Sequence, residues 1–209
     1  MSSQAKPPRQ VYVSVSARIL MNVEALNMAE TVGNVSRHRK APVVVSPKHG
    51  GVSVVYVPAV SGESLAHHYQ RLLASIAQER GLPVTKMDLE GFFMKFSDDG
   101  IIKKYYKEVE EKYSIVEQAD PCKVEEAILK SSVVADVGGF LYTDKTIKRT
   151  SRIRFSYMIP TQDAIEVGAA VSYPQLHVRY TPEAAKGEQA LYYVETASSL
   201  YAFTAGLNA

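Results

Sequence analysis

The stretch Val52–Ala77, VSVVYVPAVSGESLAHHYQRLLASIA, reads as a strand, a tight polar turn and an amphipathic helix. Val52, Val54, Val55, Tyr56 and Val57 are β-branched or aromatic and suit a pleated surface. Pro58 ends the ladder because it has no N–H to donate. Ser61 is placed to cap the following helix, and Glu63 falls in its first turn, where the helix dipole favours negative charge. Leu65, Tyr69, Leu72, Leu73 and Ile76 share one helical face, which is the expected core side. His67 falls on the polar side and His68 borders the core. As neighbours in sequence they point in different directions and cannot form a metal pair. Gly81 closes the helix, and Pro83 bars its resumption. The turn Ser61-Gly62-Glu63-Ser64 presents backbone N–H groups to an anion.

Immediately upstream, Val43–Val45 and Val52–Val57 flank Ser46–Gly51, SPKHGG, which predicts a hairpin. Asn27–Pro42 has no sustained period and reads as a loop with a turn at Gly33-Asn34. It carries the densest positive run of the first half, Arg37-His38-Arg39-Lys40. Such a run serves phosphate contacts, which need charge and reach rather than exact geometry. It equally serves as a solvated charged loop, and the residues alone leave both readings open. Val11–Asn22, VYVSVSARILMN, alternates strictly and predicts a strand with one buried face, Val11, Val13, Val15, Ala17, Ile19 and Met21. Residues 1–10 are polar and read as a flexible arm.

Downstream, Thr85–Ser132 changes character to charge-rich helix, with Asp120 as an N-cap, Pro121 at the first helical position, and Val124, Ala127 and Ile128 on the apolar side. It reads as an insertion, 85–132, between two β-rich parts, 11–84 and 133–209. Gly138-Gly139 demand a turn or a close backbone approach. In Asp144–Pro160 a single strand is expected, with Ile153, Phe155, Tyr157 and Ile159 on one face. Lys148, Thr150, Arg152, Arg154 and Ser156 lie on the other, and Lys145 and Arg149 stand at the entrance. These cations repel one another unless neutralised, either by a polyanion along the face or by carboxylates from the insertion. Val171–Tyr180 predicts another strand, Leu176, Val178 and Tyr180 inward and Gln175, His177 and Arg179 outward. Pro182–Glu188 reads as a loop, and Leu191–Phe203 as a long tyrosine-rich strand.

The 209 residues are 46% hydrophobic and 22% charged, so a packed fold is expected. A net charge of +2 excludes a strongly basic tail but not a locally basic groove. The single cysteine, Cys122, excludes an internal disulfide and any cysteine metal site, and it fits a reducing cytoplasm. No stretch has membrane-spanning length, so no membrane association is expected. The sequence contains no GxxxxGK[ST], GxGxxG, GxSxG or HExxH pattern, so neither a catalytic constellation nor a cofactor or metal is expected. Alternating strands, basic segments, 13 Tyr and 6 Phe favour a single-stranded nucleic acid, where charge tracks the backbone and rings stack on bases.

Several segments, in order, resemble a known family: LMNVEALNMAETVGNVSRHRKAPVV from Leu20, VYVPAVSGESLAHHYQ from Val55, VVADVGGFLYTD from Val133, KRTSRIRFSYMIP from Lys148 and QLHVRYTP from Gln175. Together they are similar to the archaeal DevR-type backbone subunit of the type I-A CRISPR interference complex, Cascade, within the RAMP superfamily. The resemblance implies an α+β fold: a modified RRM-like (ferredoxin-like) antiparallel sheet with helices on one side and a large helical insertion. A second helix and closing strand of such a core are not legible after Gly187, so its usual C-terminal part is expected to be missing. It further implies a non-catalytic subunit that holds CRISPR RNA by its sugar-phosphate backbone and polymerises with copies of itself in a helical filament. That filament would work with other Cascade subunits and reach target DNA through the guide. The same superfamily includes endoribonucleases that process CRISPR RNA, for which His38, His67 or His177 would be the acid–base candidates. Carried onto this sequence, Asn27, Arg37, His38, Arg39 and Lys40, the turn residues Ser61 and Gly62, the basic residues Lys148, Arg149 and Arg152, and His177 would lie at the RNA. Arg18 and Asn22 on the first strand would support them.

Overall fold

The computed structural model describes residues 11–46, 50–179 and 190–208. The predicted arm 1–10, the middle of the Ser46–Gly51 turn and the loop Pro182–Glu188 lie outside the described residues. The chain order is β1 (Tyr12–Glu24), β2 (Met28–Val32), β3 (Val35–His38), β4 (Lys40–Val45), β5 (Ser53–Pro58), α1 (Gly62–Glu79), α2 (Lys86–Glu90), α3 (Asp99–Tyr105), α4 (Lys107–Tyr113), α5 (Pro121–Ser131), α6 (Val133–Gly138), β6 (Phe140–Tyr142), β7 (Ile147–Arg149), β8 (Ile153–Phe155), β9 (Ile159–Pro160), α7 (Gln162–Glu166), β10 (Val171–Arg179) and β11 (Ala190–Asn208). The architecture is α+β.

One seven-stranded sheet is organised on β11: β1, β3, β8, β9 and β10 all pair with it, and β2 adds outside β3. The tyrosine-rich strand of the sequence is therefore the axis of the sheet. The β10–β11 pair is antiparallel from Val171↔Ser198 to Arg179↔Ala190, whereas β3 runs parallel to β11 at Tyr193↔Val35. The sheet is thus mixed rather than antiparallel throughout. The direction of β3 is set by the Gly33-Asn34 turn, where Gly33 takes φ +60 and the Asn34 carbonyl accepts from the Tyr193 N–H at 2.8 Å. This turn also corrects the expected loop: Asn27–Pro42 forms the hairpin β2–β3 and the start of β4. Strands of four and five residues, polar and mostly exposed, give too few alternations to read. The predicted hairpin is β4–β5, paired from Lys40↔Pro58 to Val45↔Ser53.

The chain divides into two compact units. One is built on Leu65–Arg154, the other on Val15–Ser64 and Phe155–Ala205. In the first, Phe96, Ile102, Tyr106, Val109, Ile115, Val124, Ile128, Phe140 and Tyr142 form a closed core of helices and the β6–β7 hairpin. Asp120 caps α5 by accepting from the Cys122 N–H at 2.9 Å, and Val124, Ala127 and Ile128 are buried, as the spacing predicts. The buried Asp88 carboxylate is satisfied by Thr85 N–H and Oγ1 and by Ser132 Oγ, at 2.8–2.9 Å.

Three expectations about faces fail for one physical reason: periodicity reports which side is apolar, not whether anything covers it. On α1 the buried residues are Gln70, Ala74 and Ala77, while Leu72 and Ile76 are exposed and so is His68. Small alanines admit a close neighbour, and Gln70 lies where Gly138 has no Cβ, since a methyl at Gly138 would meet Gln70 Oε1 at 2.6 Å. On β1, Val13, Val15 and Ile19 are exposed, as is Val11 just before it, and on β10 so are Leu176 and Val178; Tyr180 lies outside the described residues. Asp144–Pro160 is not one strand but three short ones, β7, β8 and β9, because Thr150–Arg152 leaves the ladder beside Gly139.

Gly139 has φ +71, and a Cβ there would sit 2.4 Å from the Arg149 carbonyl oxygen. Gly168 has φ +74 with open space around it. Gly168→Ala should cost only backbone strain, about 1 kcal/mol, and Gly139→Ala about twice that or more. Urea unfolding of the two variants checks the difference; equal losses would deny the close approach.

Candidate nucleic-acid interface

The sheet unit brings Asn27, Arg39 and Ser61 together. The Asn27 carboxamide oxygen accepts from Arg39 Nε and from the Ser61 N–H, both at 3.0 Å, and the Asn27 carbonyl accepts from the Arg39 N–H at 2.7 Å. Ser61 in turn caps α1, its hydroxyl accepting from the Ser64 N–H at 3.2 Å. The predicted cap is present, but the turn is not an open anion cradle. Ser61 is only 4% exposed. The room left by the missing Gly62 side chain is filled from within, since a Cβ would lie 2.5 Å from the Phe155 carbonyl oxygen. Ser61 and Gly62 therefore hold the fold together, and the close approach at Gly62 is made by the chain's own backbone.

Beside this knot, Arg37, His38, Arg39 and Lys40 line a cleft of about 570 Å³ with Ala29, Glu30, Tyr56 and Glu195. Strand geometry spreads the four residues: Arg37 and His38 end β3, Lys40 starts β4, and Arg39 bridges them. Arg37 pairs with Glu30 at 3.4 Å on the surface. Lys40 Nζ lies 3.9 Å from Glu195 Oε2, which also accepts from the His38 backbone N–H at 3.0 Å. Glu195 and Tyr56 are not legible in the sequence as members of this site. Glu195 is remote in sequence and arrives only through the β3–β11 pairing, and Tyr56 reads as a strand former.

His38 does not offer its imidazole freely to a phosphate, because it is 3% exposed. Its Nδ1–H donates to the Arg39 carbonyl at 2.8 Å, an oxygen that also accepts from the Ala59 N–H at 2.9 Å. A carbonyl only accepts, so Nδ1 carries the proton, and Nε2 is buried with no hydrogen-bond partner. Burial lowers its pKa below the usual histidine value. The Arg39 carbonyl and the Glu195 carboxylate oppose that shift, and Lys40 adds to it.

The other predicted residues lie elsewhere. Arg18 lines a second cleft with Ser16, Tyr157, Phe203 and Thr204. Asn22 lines an apolar groove with Leu20, Val167 and Val171. His177 is exposed on β10, its ring stacked on Tyr192 at 5.3 Å between centroids. Lys148, Arg149 and Arg152 belong to the helical unit. There the carboxylate reading of the basic segment prevails for Arg149, which binds Glu125 at 3.1 Å and pairs with Asp136. Arg152 stands 3.9 Å from Asp136, and Lys148 is exposed on β7. Among the described residues no group of histidine, cysteine and carboxylate side chains could hold a metal, and no helix is long and apolar enough to cross a membrane.

A family model described as CRISPR-associated negative auto-regulator DevR/Csa2 matches residues 15–209. A Saccharolobus solfataricus protein named CRISPR-associated aCascade subunit Cas7/Csa2 2 is 40% identical over 193 residues, 92% of this chain and 58% of that protein. A second protein of the same organism, CRISPR-associated protein Cas7/Csa2 1, is 40% identical over 204 residues, 95% of this chain and 61% of its own length. A Thermoproteus tenax protein named Cas7/Cst2/DevR is 27% identical over 94% of this chain. The chain thus spans roughly three-fifths of the length of these relatives. A chain from a Type IV-B CRISPR complex superposes with a TM-score of 0.45 at 11% identity, over 95% of this chain and 73% of that one, a level that fixes neither fold nor role.

The buried His38 gives a pH test. Its folded pKa lies below the unfolded value of about 6.5, so on acidification the unfolded chain takes up a proton that the folded chain refuses. Stability carried by neutral His38 is complete above about 6.5 and falls as pH drops through that value. His38→Asn, which keeps a donor for the Arg39 carbonyl, should flatten the stability loss between about pH 7.5 and 5.5. Urea midpoints across that range test this, and parallel curves for both proteins would contradict it.

Proposed function

The chain belongs to the DevR/Csa2 family, and from that premise we propose that it is a subunit of a CRISPR effector complex that binds CRISPR RNA. The RNA is held by its sugar-phosphate backbone, with the cleft of Arg37, Arg39, Lys40 and Tyr56 as the principal contact. This reading extends to the finer picture implied by the family: an RRM-like sheet, copies assembled side by side along the guide, other complex subunits alongside, and target DNA reached by pairing with that guide. It takes up, for this chain, the complex membership that the Saccharolobus relative's name states.

The observation that carries it is the arrangement of cations in the cleft. Three cationic side chains face two carboxylates there, and the contacts of Arg37 and Lys40 with those carboxylates are long, 3.4 and 3.9 Å; Arg37–Glu30 is exposed on both sides, whereas the exposed Lys40 meets a largely buried Glu195. An exposed pair such as Arg37–Glu30 is worth little and exchanges readily for phosphate, and the long Lys40–Glu195 contact leaves the exposed Lys40 ammonium able to reach one as well. Arg149, by contrast, is held by two carboxylates at once. We therefore rank Arg37 and Lys40 above Arg149 as phosphate contacts and assign Asn27, Ser61 and Gly62 to shaping the cleft. The subunit is non-catalytic in this proposal. His38 is anchored through Nδ1 to a backbone carbonyl and holds Nε2 inside the protein, which fits a structural histidine better than a general base.

Binding of a single-stranded RNA of arbitrary sequence should weaken with salt, each phosphate contact adding about 0.7 to the log–log slope. Replacing Arg37 and Lys40 together by Gln should lower that slope by about 1.4 and leave bound and free RNA uncleaved, as in the wild type. Fluorescence anisotropy across a salt series, with the RNA run on a denaturing gel afterwards, is the measurement. An unchanged slope removes the cleft from the contact, and cleavage abolished by His38→Asn would favour the processing nuclease.

A further inference from the structure

The β4–β5 hairpin carries an outward face that ordinary solvation does not explain. Residues directly opposite in an antiparallel pair project to the same side. The register Lys40↔Pro58, Pro42↔Tyr56, Val44↔Val54 therefore gathers these six residues on one face, where Pro58 is buried at the end beside Lys40 and the other five are exposed. The opposite face carries Val45 and Val57, which are buried. On the outward face Tyr56 is 72% exposed, Val44 67% and Val54 57%. A strand with one solvated face ordinarily places polar residues there. This one places a tyrosine ring next to proline and valine, and the strip runs directly out of the cleft that Arg37, Arg39 and Lys40 line, with Tyr56 a member of both.

We propose that the outward face of β4–β5 is a base-stacking platform, with Tyr56 taking the face of a nucleobase whose neighbouring phosphates sit against Lys40 and Arg37. The inference rests on the RNA-binding reading above and adds to it what holds the bases. The occupant is a single-stranded nucleic acid because the two halves of the surface have the two chemistries of one such strand. Cations at the cleft meet the backbone, and an exposed ring with apolar flanks meets the bases, Lys40 and Tyr56 being diagonal neighbours across the β4–β5 pair. Stacking is tolerant of sequence because every base has a π-face. Pro42, opposite Tyr56, supplies a stiff neighbour that limits the space open to the ring. An apolar protein segment would use the valines but would have no need of the adjoining cations.

The chain contains no tryptophan, so Tyr56→Trp introduces a single reporter at the proposed platform. Three proteins, wild type, Tyr56→Ala and Tyr56→Trp, are titrated with an oligouridylate and with its abasic counterpart of equal length. Tyr56→Ala should weaken oligouridylate binding about five- to a hundred-fold with the salt slope unchanged, since stacking releases no counterions. It should leave abasic binding as in the wild type. Tyr56→Trp should bind like the wild type and be quenched by the base-containing strand only. Because Tyr56 is exposed, Tyr56→Phe, which keeps the ring, separates stacking from any effect on folding and should restore wild-type affinity. If the wild type binds with its salt dependence while Tyr56→Ala binds equally and the tryptophan is not quenched, the platform is wrong and the RNA-binding reading stands. If the wild type binds neither strand, both are overturned.

Discussion

The carboxamide of Asn27 is the small interaction on which the sheet unit depends. One oxygen accepts from the Arg39 guanidinium and from the backbone N–H of Ser61. It thereby joins the chain between β1 and β2, the crossing from β3 to β4, and the start of α1. Ser61 is buried and Asn27 and Arg39 are half-buried, so a lost partner costs more than an ordinary surface hydrogen bond. The same knot fixes what is available for binding. Arg39 is drawn inward by its Nε, the Arg39 carbonyl holds both Ala59 and the His38 ring, and the charges left facing the cleft are those of the flanking Arg37 and Lys40.

That division of labour explains why a tight basic run is not four equivalent phosphate contacts. The run Arg37-His38-Arg39-Lys40 crosses from the end of β3 to the start of β4, and its side chains are not equally available: Arg37 and Lys40 are exposed, Arg39 is half-buried and His38 is buried. The exposed members end on the cleft, and the buried histidine becomes a spacer beneath it. The second basic segment obeys another rule. Arg149 has Glu125 from α5 and Asp136 from α6 within reach. A guanidinium so engaged would have to give up two partners before meeting a phosphate.

Much of the local structure was legible in the sequence because the signals are chemical and short in range. The Ser61 and Asp120 caps, the Pro58 strand end, the Gly33-Asn34 turn and the β4–β5 hairpin all follow from what single residues can donate, accept or adopt. The burial of faces was not legible. The valines of β1 and the leucine and isoleucine of α1 show which side is apolar, but what covers it is decided by long-range pairing. The cleft was half legible for the same reason: Arg37 and Lys40 announce themselves, whereas Glu195 enters only through β11. Tyr56 lies inside a run of valines whose propensity for strand hides its exposure.

In the function proposed for this chain, RNA lies on β3, β4 and β5. Photocrosslinking tests it most directly: the protein is mixed with a short RNA containing 4-thiouridine, irradiated, digested, and the attached peptides are identified by mass spectrometry. Crosslinks concentrated between Arg37 and Tyr56, and competed away by unlabelled RNA, are the predicted result. Specific crosslinks confined to the helical unit, with none on these three strands, would contradict the account.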